Sequence, residues 1–268
     1  MLPIYKLDRT KLDVEITKPF FIFEIKNFFP EPFINALKNE FPDKTFFSSS
    51  HDSRGGKSYL TNRMPLFNKF IESAPSWAEL YEHFCTPDVA TKLYDLTHSV
   101  ASERPQSQTR QWQLVVDPGQ SGALGFREKM LARLQGKLGG YTPVRIGFEL
   151  SHLEDGCYIP PHTDIAKKLI SLMIYFPDDG VDYDQSAGTE FYCGRNKTPA
   201  WDAWKVGMLP DNEAAKFYAA HENFYVSTFE PNKLVGFVKS SNSWHGLRLL
   251  RLPHGAARRS ININFFLV

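Results

Sequence analysis

From residue 141 onward the chain is cut into short apolar runs, and this rhythm limits the possible folds more than any other feature. The runs are Val144–Ser151, Leu169–Phe176, Thr189–Tyr192, Lys233–Lys239, Gly246–Leu250 and Arg259–Leu267, with Gly, Pro, Asn and Asp between them. Short strands punctuated by turn formers indicate an all-β sandwich or barrel. A jelly roll, two packed antiparallel sheets, suits such a run. Residues 1 to about 140 read differently. Pro19 to Ile25 is an aromatic strand, and Phe29 to Phe41 is a helix with Pro in its first turn. Trp77 to Val100 reads as helical with a break near Pro87. Phe126 to Leu138 is an amphipathic helix that Gly139-Gly140 ends. Ser48 to Lys57 is a polar loop. The expectation is one domain, α+β overall: an all-β jelly-roll core over 141–268, supported from outside by the N-terminal helices and strands of 1–140.

Composition narrows the function classes. The chain carries 31 Lys and Arg against 30 Asp and Glu, a net charge of +1. That balance creates no strong field for nucleic acid or an anionic membrane. The small basic cluster of Arg248, Arg251, Arg258 and Arg259 reads first as solvated surface. Cys85, Cys157 and Cys193 are odd in number and far apart, which argues against a disulfide framework and a cysteine zinc site. A reducing, cytoplasmic setting is the expectation. The N-terminus has no apolar core of a signal peptide, and no apolar run approaches the ~20 residues that span a bilayer.

The chemistry concentrates at Pro161-His162-Thr163-Asp164. Residues two apart on a strand point the same way, and in a turn just after one they can converge on an ion. His and a carboxylate, completed by a distant second His, form the facial triad of non-haem Fe(II) oxygenases. Three ligands on one face of an octahedron leave the opposite face open. A His-x-Asp alone reads first as an incidental pair in a surface turn, and its context changes that. The candidate second histidine is His245, in Ser243-Trp244-His245-Gly246, which taken alone reads as well as a packed core residue. His152-Leu153-Glu154 is a rival pair, placed below the first. His152 reads either as a pocket residue or as an ordinary strand-end histidine.

The run Arg258 to Phe266 alternates at period two. Arg258, Ser260, Asn262 and Asn264 face one way, and Arg259, Ile261, Ile263 and Phe265 the other. A sandwich core does not favour a polar face, because buried polar groups need partners. A pocket for a dicarboxylate does. Arg258 can grip a carboxylate through two parallel hydrogen bonds, and Ser260 can add a third. Arg259 competes if the strand parity is reversed.

The order His-x-Asp, distant His, then Arg-x-Ser on the last strand resembles the 2-oxoglutarate/Fe(II)-dependent oxygenase superfamily, nearest its prolyl 4-hydroxylase-like branch. The strand Ser171 to Phe176 and the segment Ala187-Gly188-Thr189-Glu190-Phe191 resemble family segments, with Ala187 in place of a Gly. The resemblance is specific between about 144 and 268. It implies a double-stranded β-helix, or jelly roll, that binds iron through His162, Asp164 and His245. It implies 2-oxoglutarate as cosubstrate, its far carboxylate on Arg258 and Ser260 with help from Tyr175, and ascorbate as a candidate reductant. The activity implied is hydroxylation of an unactivated C–H in an amino-acid, peptidyl or natural-product substrate, consuming O2 and releasing succinate and CO2. With Asp164 present, a halogenase is not implied.

Two other readings use the same residues. A zinc hydrolase can be built on the same triad, though it has no need of an inward clamp for a diacid. A jelly-roll binding module without catalysis would have no reason to keep both triad and clamp. Trp112, Gln113, Trp201 and Trp204 read as core rather than substrate contacts. The segments Ser48 to Thr61 and Thr198 to His221 read as plain loops or as lids over the pocket mouth.

Overall fold

The computed structural model describes residues 6–49, 57–98, 100, 110–115, 125–194, 209 and 211–268. The C-terminal half forms β6 (Thr142–Leu153), β7 (Ile159–His162), β8 (Lys168–Tyr175), β9 (Thr189–Gly194), β10 (His221–Ser227), β11 (Leu234–Val238), β12 (Trp244–Leu247) and β13 (Arg258–Leu267). Successive strands alternate between two antiparallel sheets, except that β9 and β10 are paired neighbours in one of them. The large sheet contains the order β11-β8-β13-β6 and the small sheet the order β10-β9-β12-β7. That ordering is a jelly roll, with the two sheets stacked rather than closed into a barrel.

The N-terminal half extends the large sheet and covers it. Strands β1 (Val14–Ile16) and β2 (Ile22–Ile25) add beyond β11, and β3 (Ser48–Ser49) and β4 (Ser58–Thr61) add beyond β6. The short β5 (Trp112–Leu114) pairs parallel with the start of β6. Helices α1 (Glu31–Asn39), α2 (Pro65–Ser73), α3 (Pro75–Phe84) and α4 (Pro87–His98) pack outside the sheet. Their buried residues, including Leu37, Phe70, Trp77, Leu80 and Leu93, form one apolar cluster with Leu172, Ile174, Ile261, Ile263 and Phe265. The buttress expected from the sequence is therefore present, and the outer face of the large sheet is its foundation.

Differences from the sequence reading have local causes. Pro65, Pro75 and Pro87 each open a helix, a position where the missing N–H costs nothing. The sequence reading used only the break at Pro87 and so missed α2. Strands β3 and β4 lie in a segment read as a loop, and β10 is not read as a strand, because short polar strands lack clean alternation. Helix α5 (Phe126–Gly139) ends as expected, with Gly140 at φ 73° in the left-handed region. Its burial is inverted, however. Only Ala132 and Gly136 are buried, while Phe126, Met130, Leu134 and Leu138 are exposed. A Cβ on Gly136 would lie 2.7 Å from the Pro143 ring, so only small side chains fit on the inward face.

Trp77 anchors the buttress. It is 2 % exposed, it donates its ring N–H to the Leu37 carbonyl at 2.9 Å, and it packs against Phe41, Phe70 and Phe176. Trp77→Ala should lower stability by about 3–5 kcal/mol, measured by chemical denaturation. A loss under about 1 kcal/mol would mean that the helical layer adds little to the sheet.

Candidate metal centre and anion pocket

Strand β7 ends at His162, and the chain then turns so that Asp164 adopts φ 66°. Asp is among the few side chains that tolerate this left-handed region, and the turn swings its carboxylate back towards β7. Strand β12 lies beside β7 with His245 opposite His162, and the two ring centroids are 4.1 Å apart. Gly246 permits this closeness. A Cβ there would lie 2.9 Å from the Ile159 carbonyl oxygen.

The hydrogen bonds fix the imidazoles for ligation. The Nδ1 of His162 lies 2.9 Å from the Pro160 carbonyl, and that of His245 lies 3.0 Å from the Ser243 carbonyl. A carbonyl only accepts, so each Nδ1 carries the proton and each Nε2 presents a lone pair. Both Nε2 atoms stand 3.7 Å from the Asp164 carboxylate. The three side chains form the one group among the described residues that gathers metal-ligating atoms within 4.8 Å of one another. Two neutral imidazoles and a carboxylate fit a first-row divalent ion and leave coordination positions free.

The electrostatics agree. Burial lowers the pKa of His162, and burial together with the neighbouring His162 pushes that of His245 down to about 3. Both rings are thus neutral near pH 7. Burial alone would raise the Asp164 carboxyl. The Lys168 ammonium is the foremost of the groups that outweigh that and hold it well below the usual carboxylate range. Lys168 Nζ donates to Asp164 at 2.8 Å.

These residues line a cavity of about 630 Å³ between the two sheets, a size typical of small-molecule sites. Arg258 and Ser260 line it too, as do Asn262 and Asn264, so the polar face of β13 turns inward. Arg258 is 4 % exposed. Its Nε donates to the Ala187 carbonyl at 2.7 Å, and its two terminal nitrogens lie 3.2 Å from the Thr189 hydroxyl and 3.4 Å from that of Ser260. Its guanidinium sits 5.2 Å from the Tyr175 ring centroid and 5.4 Å from that of Phe229. Among the described residues no carboxylate pairs with it. Burial pulls its pKa down, with Tyr175 opposing. Thr189 lies two residues along β9 from Phe191, the residue opposite His245, a step of roughly 7 Å. A short diacid can cover that reach.

The structure separates the other sequence candidates. Tyr175 is fully buried behind Arg258, and its hydroxyl meets Thr189 at 2.8 Å rather than lining the cavity. Ser151 and Leu153 line the cavity, so His152 points to the opposite face, against Phe47. Glu154 pairs with Lys44 at the surface. Arg259 pairs with Asp178 on the outer side of the sheet. Trp112 is core, stacked on Phe265, whereas Trp201 and Trp204 lie outside the described residues. So do residues 50–56 of the first suggested lid and residues 198–208 and 210 of the second, whose described part is mainly the helix Asp211–Ala220. Lys57, Glu149, Thr189 and Lys168 line the cavity without having been singled out. Only Thr189 had a signal, its place within the Ala187–Phe191 segment.

Sequence comparison finds no matching family model and no matching curated protein. Solved structures that resemble the chain in fold include prolyl hydroxylases and proteins described as 2-oxoglutarate-dependent or solved with 2-oxoglutarate bound. A Pseudomonas putida prolyl-4-hydroxylase is 10 % identical over 93 % of this chain and 94 % of its own, with TM-score 0.46. HygX from Streptomyces hygroscopicus, with nickel, 2-oxoglutarate and hygromycin B bound, is 9 % identical over 92 % and 83 %, with TM-score 0.44. A Trichoplax adhaerens prolyl hydroxylase, in complex with a hypoxia inducible factor peptide fragment, is 10 % identical over 99 % and 87 %, with TM-score 0.42. Likeness of this degree carries no argument about chemistry. The fold assignment rests on the strand order and the chemistry on the site.

Two outcomes test the centre. Because His245 stays neutral until far below pH 6.5, protons should compete weakly for the site. Divalent-metal affinity should therefore stay nearly level from about pH 8 to about pH 5, followed by calorimetry. A steep fall near pH 6.5 would show that the imidazoles titrate like free histidine. Gly246→Val should push β12 off β7, costing about 1–3 kcal/mol of stability and weakening metal uptake in the same protein.

Proposed function

We propose that the chain is an Fe(II)- and 2-oxoglutarate-dependent dioxygenase. It would hydroxylate an unactivated C–H of an amino-acid, peptidyl or natural-product substrate and release succinate and CO2. One observation carries the reading. Arg258 is a buried cation without a carboxylate partner among the described residues, and it faces the cavity that also contains His162, Asp164 and His245. Buried charges are normally paired, and removing that cost is a task for a ligand. A dicarboxylate gripped at one end by Arg258 and chelating the metal at the other satisfies both features.

Each residue then has a task. His162, Asp164 and His245 would hold the metal on one face, and their second partners keep the imidazole lone pairs aimed at it. Arg258 would take the far carboxylate, with the Ser260 and Thr189 hydroxyls beside it. Tyr175 acts as a positioning residue, its ring backing the guanidinium and its hydroxyl holding Thr189. Bound iron and 2-oxoglutarate would supply oxidation of the target by O2, with the protein fixing orientation and excluding side reactions. A zinc hydrolase on the same triad leaves Arg258 without a purpose, as does a binding module without catalysis.

Anaerobic addition of Fe(II) and then 2-oxoglutarate should produce the weak visible charge-transfer band of an iron–2-oxoacid chelate. Arg258→Met should retain metal binding yet weaken 2-oxoglutarate by about 1.5–3 kcal/mol, the value of hydrogen bonds to a charged group. The same variant should match or exceed the wild-type stability of the ligand-free protein, because it removes an uncompensated buried charge. A folded, metal-loaded protein that gives no band would send the assignment to the zinc reading.

A further inference from the structure

Of the eight large apolar side chains that are exposed among the described residues, five belong to α5. Single exposed apolar residues are ordinary, but a contiguous cluster marks an interaction site. Residues four apart form ridges along a helix, and the ridges of α5 differ in kind. The inward ridge holds Ala132 and Gly136, with Gly136 pressed on the Pro143 ring. Directly opposite run Phe126, Met130, Leu134 and Leu138, each more than half exposed. One flanking ridge is wholly basic, with Lys129, Arg133 and Lys137, and the other carries Arg127 and Leu131. Glu128 is the one acidic residue of the helix, and its carboxylate accepts from the Gly125 N–H at 2.6 Å.

Charge selects what covers this face. The net charge of +1 hides a local excess, because the rest of the chain carries more acidic than basic residues. A second copy of the chain would bring one basic flank against another, and like charges oppose that contact. An anionic lipid surface complements the helix on both counts. Arg127, Arg133 and Lys137 are exposed beside the apolar ridge. Such stems lie along apolar groups while their charged heads reach the headgroup layer. With 14 residues, α5 is too short to cross a bilayer. At about 20 Å it is long enough to lie along one.

We propose that α5 is an interfacial helix that docks the protein on an anionic lipid surface. The ridge containing Leu134 enters the boundary of the acyl chains, and Arg127, Arg133 and Lys137 meet the headgroups. The small residues of the inward ridge hold α5 close to the start of β6, so the apolar ridge is presented as part of a rigid body. The proposal is independent of the chemistry assigned to the cavity.

The test is co-sedimentation of the full chain with vesicles. One set is pure phosphatidylcholine, and the other is phosphatidylcholine and phosphatidylglycerol in equal parts. The chain should bind the second set and not the first, and binding should weaken towards about 1 M salt, where the Debye length shrinks to ~3 Å. Leu134→Glu should lower vesicle affinity about tenfold or more. Its melting temperature should stay that of wild type, because the side chain is exposed. Arg127→Ala combined with Lys137→Ala should lower affinity about thirtyfold, and this pair tests the face without altering the apolar ridge. Arg251→Ala, also exposed but beside the small sheet, should leave binding unchanged. No binding to either set, equal binding to both, or variants of α5 that bind as wild type would overturn the proposal. So would a dimer in sedimentation equilibrium that Leu134→Glu dissolves, since a second copy would then cover the face.

Discussion

The register of β13 decides both what holds the protein together and what its cavity contains. This strand pairs with β6 from Arg258 to Leu267 and with β8 from Ser260 onward. Its two faces are buried in different environments. Ile261, Ile263 and Phe265 enter the apolar cluster beneath the helices, while Arg258, Ser260, Asn262 and Asn264 enter the cavity. Side chains alternate along a strand, so a slip of one residue would exchange the two sets. It would drive a guanidinium into the Trp77 layer and leave the cavity lined with Ile and Phe. The helical buttress therefore also protects the site, because its apolar demand keeps the polar face inward.

The small sheet depends on a second constraint of the same kind. His162 and His245 face one another because β7 and β12 pair there, and the two backbones approach closely because residue 246 has no side chain. Asp164 completes the group from a turn and not from a strand. Two ligands are thus set by sheet pairing and one by an unusual backbone angle. The buried Arg258 joins this frame through Thr189, which contacts both Arg258 and Tyr175.

Much of this was legible in the sequence, for specific reasons. The polar alternation of 258–264 stood out because it broke the apolar pattern around it, and its inward direction followed. His162, Asp164 and His245 were legible as residue types in order, although only the pairing of β7 with β12 brings them together. Strand β7 itself escaped notice, since Pro160 and Pro161 are poor strand formers. Lys168, Glu149 and Lys57 were invisible, because a charged residue on or beside a strand looks the same whether it faces water or a cavity. Tyr175 illustrates the opposite difficulty. Its position in the chain suggested direct contact with a ligand, and its full burial places it one layer behind.

The strand order also bears on how the polypeptide can assemble. The strand at the middle of the jelly roll's large sheet follows all of its neighbours in sequence, so β6 and β8 are synthesised long before the segment that joins them. Until β13 arrives, each has an open edge, and such edges invite pairing with other chains. Pairings this distant in sequence also form slowly. An unfinished or slowly closing chain would expose two adhesive edges on either side of an empty slot. The α1–α4 layer, which lies earlier in the chain and grips the same sheet from behind, is placed to act as an internal chaperone while that slot is filled.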